Sequence, residues 1–208
     1  FEECPLLTNV TIHSAKVELG AKCFQGCKSL KTFKIENESD SDTQANSSVV
    51  SFGEKIFSEC SSITNVIFPS FIKLIRSSSC FKCFSLVEVV IPNSVIEIEE
   101  YAFAQCTSLI HIKIPDSVTH IGYFAFNKCT SLANIEMSSS LIQIASGAFC
   151  ECSSLTHISL PNTINGIGKK AFMSCTALVK ISIPHTIKFI ANDAFDNCSA
   201  LSRVTVPT

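Results

Sequence analysis

"AFAQCTSLIHIKIP", residues 102–115, is written again with small changes as "AFNKCTSLANIEM" at 125–137, "AFCECSSLTHISLP" at 148–161, "AFMSCTALVKISIP" at 171–184 and "AFDNCSALSRVTVP" at 194–207. Repetition at a fixed period is the first thing to settle, because it decides the architecture before any local reading does. The cysteine inside the phrase is the ruler. Cys4, Cys27, Cys60, Cys83, Cys106, Cys129, Cys152, Cys175 and Cys198 follow one another at steps of 23 residues, with one step of 33. Three residues before each stands a phenylalanine, from Phe1 and Phe24 to Phe172 and Phe195, except where Cys80 takes its place. Three residues after comes Leu or Ile.

Six and eight residues after each cysteine come apolar, mostly β-branched positions such as Ile112 and Ile114, and then usually a proline: Pro69, Pro92, Pro115, Pro161, Pro184, Pro207. Alternation of this kind marks a short strand, and proline ends it because it has no amide hydrogen for the ladder. Val118 with Ile121, and Ile164 with Ile167, predict a second short extended stretch. The threefold spacing of Ala-Phe-x-x-Cys-x-x-Leu predicts a turn of helix, 3₁₀-like in places. A unit of strand, turn, short strand and helical turn cannot bury its own apolar side chains, since its two flat sides stay open. Stacked copies close one another. Fixed letters then point inward and variable letters outward, which predicts an α/β solenoid of about nine coils.

The single long step carries 10 extra residues, in "NESDSDTQANSS" at 37–48. Acidic, serine-rich and free of aromatics, it is expected to bulge from one coil as a solvated loop. Otherwise the domain is expected to run unbroken over 1–208, as an excerpt of a longer protein.

Composition narrows the function classes. The net charge is −2 and the isoelectric point about 6.2, so no basic field invites nucleic acid or an anionic membrane. No apolar run approaches the roughly 18 residues that a bilayer-spanning helix needs, and membrane insertion is not expected.

The unit "IPDSVTHIGYFAFNKCTSLANI", residues 114–135, resembles the BspA-type leucine-rich repeat, whose pattern is I-P-x-S-V-x-x-I-G-x-x-A-F-x-x-C-x-x-L-x-x-I. The resemblance covers essentially the whole chain. Two units depart from it: "RSSSCFKCFSL" at 76–86 lacks the Gly and Ala-Phe letters, and Ser138 stands where proline is usual. Distortion is expected there. The resemblance implies a curved, right-handed solenoid with one parallel sheet on its concave face. It also implies surface proteins of mucosal bacteria and parasitic protists that bind host matrix or cell-surface proteins.

Nine of the 12 cysteines share one inward column. Parallel side chains about 4.7–4.9 Å apart suit buried thiols better than disulfides, whose Cβ atoms must point toward each other. Cys23, Cys80 and Cys150 fall outside that column. Cys80-x-x-Cys83 is half of a zinc motif without its second pair, so no metal is expected. "GIGKK" at 166–170 lacks the Walker spacing, no nucleophile motif is present, and neither a cofactor nor catalysis is expected.

The outward strand positions are more informative. One column reads Asn9, Thr32, Asn65, Glu88, His111, Asn134, His157, Lys180, Arg203; its companion reads Thr11, Lys34, Ile67, Val90, Lys113, Glu136, Ser159, Ser182, Thr205. Glu88 with His111 and Lys113 with Glu136 are expected cross-strand pairs. Glu88, His111, Lys113, Asn134, Glu136, His157, Lys180 and Arg203 make up the candidate protein-binding face. Asn9, Asn37, Asn46 and Asn197 fit the glycosylation sequon.

These readings favour a cell-surface or secreted, adhesin-like interaction module. An intracellular scaffold, in keeping with abundant free thiols, and a repeat region attached to an enzyme are the alternatives. Apolar coil ends without a polar cap leave room for end-to-end self-association.

Overall fold

The computed structural model describes residues 1–13, 18–35 and 51–206. Nine main strands recur in it: β1 (Asn9–Ile12), β2 (Thr32–Ile35), β3 (Asn65–Ile67), β5 (Glu88–Val90), β7 (His111–Lys113), β9 (Asn134–Glu136), β11 (His157–Ser159), β13 (Lys180–Ser182) and β15 (Arg203–Thr205). Between them lie six two-residue strands: β4 (Leu74–Ile75), β6 (Glu97–Ile98), β8 (His120–Ile121), β10 (Gln143–Ile144), β12 (Gly166–Ile167) and β14 (Phe189–Ile190). Every pairing is parallel, and each joins residues one repeat apart, as in Ile112 with Ile135 and Ile181 with Val204. The short strands form one six-stranded ladder. The main strands pair in blocks and follow one another in chain order. The result is a parallel β-solenoid of about eight turns, one fewer than predicted, because nine strands enclose eight intervals.

Proline closes the main strand as the sequence foretold. The amides of Val95, Val118 and Ile164 donate to the carbonyls of Pro92, Pro115 and Pro161 at 2.9–3.1 Å, turning the chain toward the short strand. Ser138 keeps the same turn, with Leu141 N donating to its carbonyl at 3.4 Å. Its buried hydroxyl donates to Val118 O at 2.6 Å. The expected distortion of that coil is absent, and the coil of Cys80 likewise keeps its pairing, Leu74 with Glu97.

The predicted helical turn does not form: among the described residues there is no helix. Five residues and one residue before the column cysteine the backbone is left-handed, as at Tyr101 (φ 55°) and Gln105 (φ 63°), or Lys170 (φ 57°) and Ser174 (φ 59°). Such residues reverse the helical sense after each three-residue turn. Ala104 N donates to Tyr101 O and Cys106 N to Phe103 O, while the intervening amides of Tyr101, Phe103 and Gln105 donate to Tyr123, Ala125 and Asn127 of the next coil. The left-handed conformation costs about 1–2 kcal/mol per non-glycine residue. It is offset here because alternate amides become ladder donors between coils.

One hydrophobic core runs the length of the stack. Phe103, Phe126, Phe149, Phe172 and Phe195 stack face to face with centroids 5.3–5.5 Å apart. Beside them runs the thiol column. Each Sγ–H donates to the carbonyl of the aromatic position in the preceding coil: Cys60 to Phe24 at 3.0 Å, Cys129 to Phe103 at 3.2 Å, Cys175 to Phe149 at 3.2 Å. Cysteine fits because it is a small side chain that stays buried as a hydrophobe while its weak donor reaches a backbone carbonyl. All 12 cysteines are free. Burial pushes Cys106 and Cys152 up, and Cys129 to about 12.

Candidate protein-binding face

The period-2 geometry of the main strands puts their middle residue in the core and the two flanking residues in solvent, the pattern seen at β5, β7, β11 and β13. All eight candidate residues, Glu88, His111, Lys113, Asn134, Glu136, His157, Lys180 and Arg203, are exposed on this face. Four zones succeed one another along the stack. At β1 and β2 the surface is polar, with Thr32 Oγ1 donating to Asn9 Oδ1 at 2.7 Å. At β3 and β5 it turns apolar: Ile67 is 60% and Val90 42% exposed, side by side in register. Singling out charged letters passed over this pair, although two β-branched residues in an outward column were visible in the sequence.

At β7 and β9 the charges neutralise one another. Lys113 Nζ lies 3.6 Å from Glu136 Oε2, as expected, and His111 Nε2 lies 3.5 Å from Glu136 Oε1. The expected Glu88–His111 pair does not form. Glu136, two residues beyond the direct partner of His111, reaches back diagonally and takes the imidazole instead. Exposed pairs of this kind are worth about 0–1 kcal/mol, so their effect here is to cancel charge. Beyond them, at β11, β13 and β15, His157, Lys180 and Arg203 are direct neighbours in register. Among the described residues no carboxylate comes within 4.0 Å of Lys180 or Arg203, whereas six other pairs meet that distance. Ser159, Ser182 and Thr205 stand alongside as the companion column.

Elsewhere, Asp116 is held below the usual carboxylate range by the backbone amide of Ser139, which donates to it at 2.7 Å. Among the described residues no three His, Cys, Asp or Glu side chains converge as metal ligands. No described helix is long and apolar enough to cross a membrane. Of the sequon residues, Asn9 and Asn197 are exposed, the latter with its amide donating to Ser174 Oγ at 3.2 Å. Asn37, Asn46 and the insertion at 37–48 lie outside the described residues.

The pattern of the BspA type Leucine rich repeat region matches six copies over residues 1–110 and 73–202. The chain belongs to this family. Among solved structures, the BspA-type chain is similar to the leucine-rich repeat protein TpLRR of T. pallidum, with 36% identity, a TM-score of 0.55 and coverage of 67% of this chain and 57% of that one. It is similar as well to a leucine-rich repeat protein of Bacteroides ovatus, with 23% identity, a TM-score of 0.56 and coverage of 100% and 76%. A third likeness is to the pneumococcal vaccine antigen PcpA, with 20% identity, a TM-score of 0.56 and coverage of 86% and 51%. The last two show the fold alone. No curated protein matches the chain.

Proposed function

We propose that this BspA-type repeat domain, spanning 1–208 with its insertion at 37–48, is a non-catalytic module of a cell-surface or secreted protein that holds a protein partner on its main-strand face. Host matrix or cell-surface proteins are the partners this reading favours. The observation that carries it is the face itself: consecutive strands present exposed side chains that differ from coil to coil, while the inward letters repeat. Those side chains serve no core packing, and Ile67 and Val90 add exposed apolar surface to the face. The sequons Asn9, Asn37, Asn46 and Asn197 are proposed as glycan acceptors wherever the host secretes through a glycosylating pathway.

The test is binding of the purified chain to an immobilised extracellular-matrix extract. Ile67→Glu with Val90→Glu, and separately Lys180→Glu with Arg203→Glu, are compared with Tyr123→Ser away from the face. Loss of binding of about tenfold or more in either face variant, with Tyr123→Ser unchanged, is expected. Equal binding by all three removes the face from the function.

A further inference from the structure

We infer that the basic column of β11, β13 and β15 receives an acidic α-helix of the partner protein, lying along the stacking axis with carboxylates at i, i+3 or i+4, and i+7. The inference rests on the proposal that this face binds protein, and adds which partner element fits it.

Charge comes first. Along the main-strand face the lysine of β7 is already paired, since Glu136 holds Lys113 and also lies beside His111. Three strands further, Lys180 and Arg203 have no carboxylate within ion-pair distance among the described residues, and their companions Ser159, Ser182 and Thr205 carry no charge. His157 completes the row. Its Nδ1 lies 3.0 Å from Thr156 Oγ1, which fixes the ring and leaves Nε2 as the nitrogen for an outside partner. Two cations and an imidazole with hydroxyls beside them call for carboxylates, which accept from N–H and O–H donors alike.

Spacing then selects the element. Neighbouring parallel strands lie about 4.7–4.9 Å apart, so the imidazole and the two cations span roughly 9.5 Å in a direction that crosses the strands. An extended acidic segment laid along that line repeats a side only every second residue, and three of its carboxylates would spread over roughly 13 Å. A helix with acids at i, i+3 or i+4, and i+7 rises about 10.5 Å over the same three groups. The helix therefore meets each of the three donor side chains nearly in register, and the strand overshoots by most of a coil. The small hydroxyl side chains in the companion column put nothing bulky in the way of a cylinder about 10–12 Å across.

The experiment uses the whole chain and four fluorescent probes at low salt. One is an alanine-based helical peptide with three glutamates in a single i, i+3, i+7 stripe. The second has the same composition with the glutamates spread around the helix. The third is a proline-interrupted extended peptide of equal charge, and the fourth is heparin. The expected result is at least tenfold tighter binding of the striped helix than of the other two peptides. Lys180→Glu with Arg203→Glu should abolish that advantage without altering the thermal midpoint, and Lys34→Glu on the same face should preserve it. Equal affinity for striped and scattered helices, or tighter binding of the extended peptide or of heparin, overturns the inference. Retained matrix binding alongside a failed stripe preference would sink the helix while sparing the interaction face; loss of both would sink the two together.

Discussion

The aromatic column behaves differently in the two halves of the stack. From Phe103 to Phe195 it is unbroken, with neighbouring rings within 11° of parallel. In the N-terminal half Phe1, Phe24 and Phe57 stack at 5.7 and 6.0 Å, and then Cys80 leaves a gap. The gap is bridged from the side. Phe52 meets Phe57 and Phe68, and Phe68 meets Phe103 edge-on at 6.3 Å, so ring contact is continuous by a detour through the strand positions. The thiol column ignores the break: Cys83 donates to Phe57 O at 3.0 Å and Cys106 to the carbonyl of Cys80 itself at 3.1 Å. A column that uses side-chain volume needs a substitute when a letter changes. One that uses a backbone carbonyl does not.

Alkali gives the largest effect and tests the second half of that statement. Well below pH 9 Cys129 is protonated whether the chain is folded or not. Above it the unfolded chain releases protons first, while Cys129 holds its own to about 12 because burial penalises the thiolate. Bound protons are then fewer in the unfolded state, and stability falls as pH rises, by about 4 kcal/mol over those three units for this residue alone. Desolvation raises Cys80, Cys106 and Cys152 in the same sense. Cooperative unfolding between about pH 9 and pH 12, followed by circular dichroism, is expected in both halves at once. An N-terminal half that melts separately would show that the detour weakens the stack.

Next in size, Phe149→Ala in the regular stack should cost about 3–5 kcal/mol in urea unfolding. Cys80→Phe, which restores the missing letter, should destabilise by about 1–3 kcal/mol, since the detour rings already fill the space. A gain in stability there would mean that the gap is empty. Smallest, Cys83→Ala and Cys129→Ala should each cost roughly 1–2 kcal/mol for the lost thiol and its weak hydrogen bond. The two values should agree within about 0.5 kcal/mol, because the break in the aromatic column lies outside this contact.

Much of this was legible from residues 102–115 and their copies. Strand alternation, the closing proline and the inward cysteines follow from side-chain period and backbone donors, and so does the outward face. The helical turn was misread for a physical reason. Spacing of three arises equally from a helix and from successive turns interrupted by left-handed residues, and the left-handed positions mostly carry Lys, Glu and Ser, with Tyr, Gln, Phe, Asp and Asn once each, instead of the glycine that would have announced them. Gly26 and Gly147 are the exceptions. The Glu136 contact was half legible: strand register gave its direct neighbour Lys113, but only the observed rotamer gives the diagonal reach to His111.

Every thiol bond in the column runs backward, from one coil to the carbonyl of the coil before it. Each unit is therefore a two-ended connector, a plug on one side and a socket on the other, with the same fitting throughout. A gene that copies one unit in tandem adds a plug and a socket together and leaves neither exposed within the array. Lineages can accordingly lengthen or shorten such arrays by recombination between near-identical segments, and selection is left to act on the outward letters alone.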